Sequence, residues 1–97
     1  MLTDKLHREL ELIQRHIIVL SAVNASQPIG IMKLSDEIGL PPHKVRYSLH
    51  LLEQAGYIGP STYGAVILLP GEEFLKNIPG EISALTDAMN SIKSNLI

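Results

Sequence analysis

The run Lys33-Leu34-Ser35-Asp36-Glu37-Ile38-Gly39-Leu40-Pro41-Pro42-His43-Lys44-Val45-Arg46-Tyr47-Ser48-Leu49-His50-Leu51-Leu52-Glu53-Gln54-Ala55-Gly56-Tyr57-Ile58 decides how this chain folds. Gly39 stands where a helix C-terminus needs a residue that accepts positive φ, and the prolines of Leu40-Pro41-Pro42 preset the first turn of a following helix. The run therefore predicts one helix over residues 32–38, a tight turn, and a second helix over about 42–55 that Gly56 closes. At about 100° per residue, Val45, Ser48, Leu49 and Leu52 fall on one side of that second helix and form its core face. His43, Arg46, Tyr47, His50 and Gln54 fall on the other side, with Lys44 nearer the flank. All six carry hydrogen-bond donors suited to bases or phosphates. Solvated helices also look like this, and Tyr47 has a second option, lying over the following hairpin with only its hydroxyl exposed.

Toward the N-terminus, Leu6, Leu10, Ile13, Ile17 and Leu20 alternate spacings of four and three, which predicts an amphipathic helix ending near residue 24. Polar residues and Pro28 then break it, and residues 29–31 suffice only for a very short strand. Toward the C-terminus, residues 57–58 and 65–69 read as strands around the turn-rich segment 59–64, a hairpin. Pro70-Gly71 is expected to end the hairpin, Glu72 and Glu73 to open a short helix through residue 78, and Pro79-Gly80 to break the chain. A last helix is expected over about residues 81–96, where Ile82, Leu85, Met89, Ile92 and Leu96 repeat at three and four.

Length and composition bound what these elements can be. Ninety-seven residues make one domain, with no room for a catalytic domain beside a binding one. The expected class is mainly α with a small β-hairpin, an α+β fold. With no cysteine there is no disulfide staple, and a core this small is marginal, so oligomerisation is a natural source of stability. The first ten residues are polar and charged, and the apolar stretch 17–23 is shorter than the roughly 20 residues of a membrane span. A cytoplasmic protein is the expectation, with no membrane partner.

The formal net charge of −2 does not advertise a nucleic-acid binder, but the charge is uneven. Residues 31–50 hold Lys33, Lys44 and Arg46 against Asp36 and Glu37, whereas residues 71–97 hold four acids against two lysines. A nucleic-acid face is therefore expected in the middle. His43 and His50 lie seven residues apart, about 10 Å of helix rise, so one ion cannot join them within the chain, and no metal or other cofactor is expected. A glycine-rich phosphate loop, a nucleophile elbow and an HExxH motif are all missing, so enzymatic activity is not expected either.

The order helix, short strand, helix, tight turn, helix, hairpin, carried by Lys33 to Leu40, Val45 to Leu49 and Leu51 to Ile58, resembles prokaryotic, particularly archaeal, winged helix-turn-helix transcriptional regulators. The resemblance covers about residues 11–70 and implies a recognition helix over about 42–55 entering the DNA major groove. Arg46 would then be the candidate for a bidentate guanine contact. His43 and Lys44 would lie by the backbone or outer base edges, and Lys33, Tyr47, His50 and Gln54 would complete the face. Ser61, Thr62 and Tyr63 would form the wing. Residues 57–69 contain no Lys or Arg, whereas wings of that family commonly carry one, so this wing either touches phosphates through neutral donors or only caps the core.

The last helix lies beyond the winged core and its two heptads are too few to stand alone, so residues 71–97 are expected to form a dimerisation element. Leu6, Leu10, Ile82, Leu85, Met89, Ile92 and Leu96 are its expected contacts. A homodimer would present two recognition helices about one DNA turn apart, roughly 34 Å. Two other readings stay open: a winged-helix module that binds protein, and a small-ligand sensor for which the sequence identifies no effector pocket.

Overall fold

The computed structural model describes residues 1–96 and is mainly helical, with one two-stranded antiparallel hairpin. Ile97, the last residue of the expected C-terminal element, lies outside the described residues. Helix α1 spans Asp4–Ser26, ending two residues beyond the expected residue 24. It stops at Gln27, which is extended at ψ 145° because the ring of the following Pro28 disfavours the helical conformation before it. Ile29 forms a single antiparallel bridge with Ala65, exchanging hydrogen bonds of 3.1 and 2.8 Å, so the expected short strand is one bridging residue.

Helix α2, Ile31–Ile38, ends on Gly39 at φ 69°, whose N–H reaches the Ser35 carbonyl. Helix α3, Pro42–Gln54, opens with proline in its first turn. It closes with two reciprocal bonds, Tyr57 N–H to the Leu52 carbonyl and Gly56 N–H to the Glu53 carbonyl, with Gly56 at φ 79°.

Strands β1 (Ile58–Ser61) and β2 (Gly64–Ile67) pair from Ile58↔Ile67 to Ser61↔Gly64, leaving only Thr62 and Tyr63 in the turn. The expected six-residue turn over 59–64 is thus mostly strand, and Pro60 sits inside one. Counting from the turn, Pro60↔Ala65 is a pair whose backbone groups point away from each other. The missing N–H of Pro60 therefore leaves no ladder bond unmade, and Ala65 is free to pair outward with Ile29.

The largest departure is at the C-terminus. A single helix α4 runs from Leu69 to Ser94, so neither Pro70-Gly71 nor Pro79-Gly80 breaks the chain. Pro70 falls in the first turn, where no intrahelical N–H is needed. Gly71 permits a close approach, since a Cβ there would collide with the Tyr57 carbonyl oxygen. Pro79 and Gly80 are helix-interior residues, at costs of about 3 and 1 kcal/mol. Continuity is favoured by the apolar stripe, which keeps its phase across them through Leu75, Ile78, Ile82 and Leu85. The Ser83 hydroxyl donates to the Pro79 carbonyl at 3.1 Å.

One core lies where α1, α2, α3 and the hairpin meet: Val19, Leu20, Val23, Ile29, Leu34, Val45, Leu52, Ile58 and Ile67. The start of α4 joins it through Phe74, which stacks on Tyr57 with centroids 5.0 Å apart. Beyond Ile78 every described residue of α4 is exposed. The molecule is elongated, 57 × 27 × 21 Å, with a radius of gyration of 15.6 Å, against about 13 Å for a compact domain of 100 residues. No helix among the described residues is long and apolar enough to cross a membrane.

Candidate nucleic-acid interface

Helix α3 is held from behind and open in front. Val45, Ser48 and Leu52 are buried and Leu49 is partly so, which is the inner face expected from the spacing. Ser48 is the one polar member, and its hydroxyl is satisfied by His16 Nδ1 of α1 at 2.8 Å. Burial first, and then the neighbouring Arg15 charge, hold the His16 imidazole below its usual value, so the neutral ring is favoured at this joint. In the neighbouring joint, the Ser35 hydroxyl of α2 donates to the Leu40 carbonyl in the turn before α3. Buried hydrogen bonds of this kind fix the direction in which α3 presents its outer side.

That outer side carries His43, Lys44, Arg46, Tyr47, His50 and Gln54, all exposed, and Lys33 is exposed on α2. Among the described residues the one ion pair joins the Met1 amino group to Asp4, so Lys33, Lys44 and Arg46 have no carboxylate partner. Tyr47 is 50% exposed. It leans on α1 rather than over the hairpin, its ring 6.0 Å from that of His16.

Arg46 and His50 form one wall of an open hollow of about 330 Å³ between α3 and the hairpin, with Pro60, Ser61 and Gly64 opposite. The structure thus brings Arg46, His50 and Ser61 together. His43, Lys44, Gln54, Thr62 and Tyr63 do not line this hollow. Glu53 does, and the sequence reading passed over it although it lies seven residues from Arg46, two turns along the same stripe. A carboxylate there opposes phosphate but can accept from the cytosine amino group.

The hairpin tip differs from the expectation of three free donors. The Ser61 hydroxyl donates to the Gly64 carbonyl at 2.6 Å and accepts the Tyr63 N–H at 3.3 Å, so it braces the turn and has no proton left to offer a phosphate. Thr62 and Tyr63 are exposed, Tyr63 at 81%.

A second exposed region has different chemistry. All seven residues expected at a dimer seam (Leu6, Leu10, Ile82, Leu85, Met89, Ile92 and Leu96) are exposed. Leu10, Ile82, Leu85 and Met89 line a single groove of about 1130 Å³ between α1 and α4, while Leu6, Ile92 and Leu96 lie beyond it. No three His, Cys, Asp or Glu side chains among the described residues come together as a metal site would need. No protein-family model matches this chain, and no curated protein matches it either.

Proposed function

We propose that the chain is a winged helix-turn-helix domain that binds double-stranded DNA as a homodimer and regulates transcription. In this reading α3 enters the major groove and the hairpin serves as the wing. The observation that carries it is the outer face of α3, where Lys44 and Arg46 lie unpaired among His43, His50 and Gln54 on a helix locked from behind. Free cations on a rigid helix are what phosphate attraction and base-edge contact require. Arg46 is the base-reading candidate, with His43, Lys44 and Lys33 toward the backbone. The wing contributes Thr62, Tyr63 and backbone amides rather than cations.

A second reading, a winged-helix module that binds protein, is favoured by that uncharged wing and by Leu51, 38% exposed on α3. Fluorescence titration of labelled random-sequence duplex DNA at low and near-physiological salt separates the two. DNA binding predicts an affinity that falls steeply with salt and that Arg46→Ala lowers about tenfold or more. The variant's unfolding free energy should stay within about 0.5 kcal/mol of the original, because the side chain lies outside the core. No binding at low salt would select the protein-binding module.

A further inference from the structure

We infer that the groove between α1 and α4 is filled by the α4 of a second copy running antiparallel, so that α1 and α4 of both copies form one four-helix bundle. The inference rests on the homodimeric reading above and supplies its geometry. The need for an occupant comes from α4 itself. Residues 79–94 are all exposed yet helical, and a helix of that length with a proline and a glycine at its start is marginal in water unless its apolar side is covered. The uncovered side is one stripe, Ile82, Leu85, Met89, Ile92 and Leu96, continuing from the partly buried Ile78. Across from it, α1 leaves Leu10 and Ile13 about half exposed on the same groove, with Tyr57 and Phe74 also lining it.

A second copy fits because the stripe is complementary to itself. Turned antiparallel about a point between Leu85 and Met89, it pairs Ile78 with the partner's Leu96, Ile82 with the partner's Ile92, and Leu85 with the partner's Met89. The two-fold axis then repeats these pairs, and every layer is apolar. The residues that meet their own equivalents beside the axis are Thr86 and Ala88, small and uncharged, so no like charges are opposed there. The aliphatic side chains this pairing would cover, Leu10, Ile13, Ile82, Leu85, Met89 and Ile92, are each about half exposed or more, a contiguous apolar patch of the kind that marks a protein interface.

Direction follows from where the groove ends. The α4 residues lining it stop at Asn90, and Ile92 and Leu96 project past it without a wall. Antiparallel pairing lays each bare end into the other copy's walled groove, whereas parallel pairing leaves both bare ends with only each other. Opposed helix dipoles favour the same choice.

The chain has no cysteine, so single cysteines report this geometry without background. Ala88→Cys and Leu96→Cys are treated with a short bismaleimide and resolved on denaturing gels, with circular dichroism checking the fold and sedimentation giving the native mass. Antiparallel pairing places the two copies of position 88 side by side and those of position 96 about 27 Å apart along the bundle. The expected result is a dimer in sedimentation for both variants and a covalent dimer for Ala88→Cys alone. A monomer in sedimentation, efficient self-linking of Leu96→Cys, or a dimer that Ala88→Cys does not link would overturn the inference. DNA titration of the same samples keeps the two ideas apart. A dimer linked at position 88 that ignores DNA sinks the DNA-binding reading and leaves the interface standing, and a monomer that binds DNA does the reverse.

Discussion

The two halves of α1 carry the same kind of apolar stripe and meet opposite fates. Val19, Leu20 and Val23 are completely buried against α2, α3 and the hairpin, whereas Leu6, Leu10 and Ile13 stay about half exposed. Helix α4 repeats the contrast, with Phe74 and Leu75 packed on the core and Leu85 and Met89 in the open. Burial in this molecule therefore stops at a boundary that crosses both long helices, and helical periodicity does not announce it. A stripe at three and four states that a face needs cover, not which molecule provides it.

The largest effect should come from the closed side of that boundary. Leu20 is fully buried, so Leu20→Ala should cost about 2–5 kcal/mol by urea unfolding, through lost transfer energy and the cavity left behind. If Leu10→Ala, outside the boundary, costs the same at low protein concentration, the two halves of α1 are not the separate regions described. On the open side, Met89→Lys places a charge in the proposed seam. It should turn a sedimenting dimer into a monomer and remove the dependence of Tm on protein concentration, because cover supplied by a second molecule obeys mass action. The Leu20 core should still melt cooperatively in that variant, and its collapse would mean that the α4 arm and the core are one unit.

The smallest effect concerns the joint between α1 and α3. His16 is held below its ordinary value near 6.5, chiefly by burial, so the unfolded chain takes up this proton at a higher pH than the folded chain. Its contribution is therefore whole above about pH 6.5 and declines as the pH falls below it. Comparing urea midpoints at about pH 8 and about pH 5.5, the wild-type chain should lose more stability than His16→Gln, which has no proton to take up in that range. Equal losses would remove His16 from the account.

Much of the closed region was legible because single residues carried unambiguous geometry. Gly39 and Gly56 mark helix ends at positive φ, and the 100° spacing of α3 separated Val45, Ser48 and Leu52 from His43, Arg46 and His50. Most of what went unread was long-range. Pro60 looked like a turn residue because its tolerance inside a strand depends on which rungs of the ladder are hydrogen-bonded, which one segment alone does not reveal. Pro79-Gly80 looked like a break, and the contrary signal was the phase of Leu75, Ile78 and Ile82 across it, visible only when 69–94 is taken as one element. The lean of Tyr47 onto His16 joins two helices and no local pattern encodes it, whereas the bracing role of Ser61 is a local serine turn, reaching only Tyr63 and Gly64, that a reading of Ser61 as a free donor overlooked.

The central claim is that α3 meets DNA, and amide chemical-shift mapping during titration with duplex DNA tests it most directly. The account predicts changes concentrated at residues 43–54 and at Lys33, with smaller ones at Thr62 and Tyr63 and almost none along the α1 and α4 stripes. Changes confined to Leu6–Ile13 and Ile82–Ile92, or no changes at low salt, would contradict it.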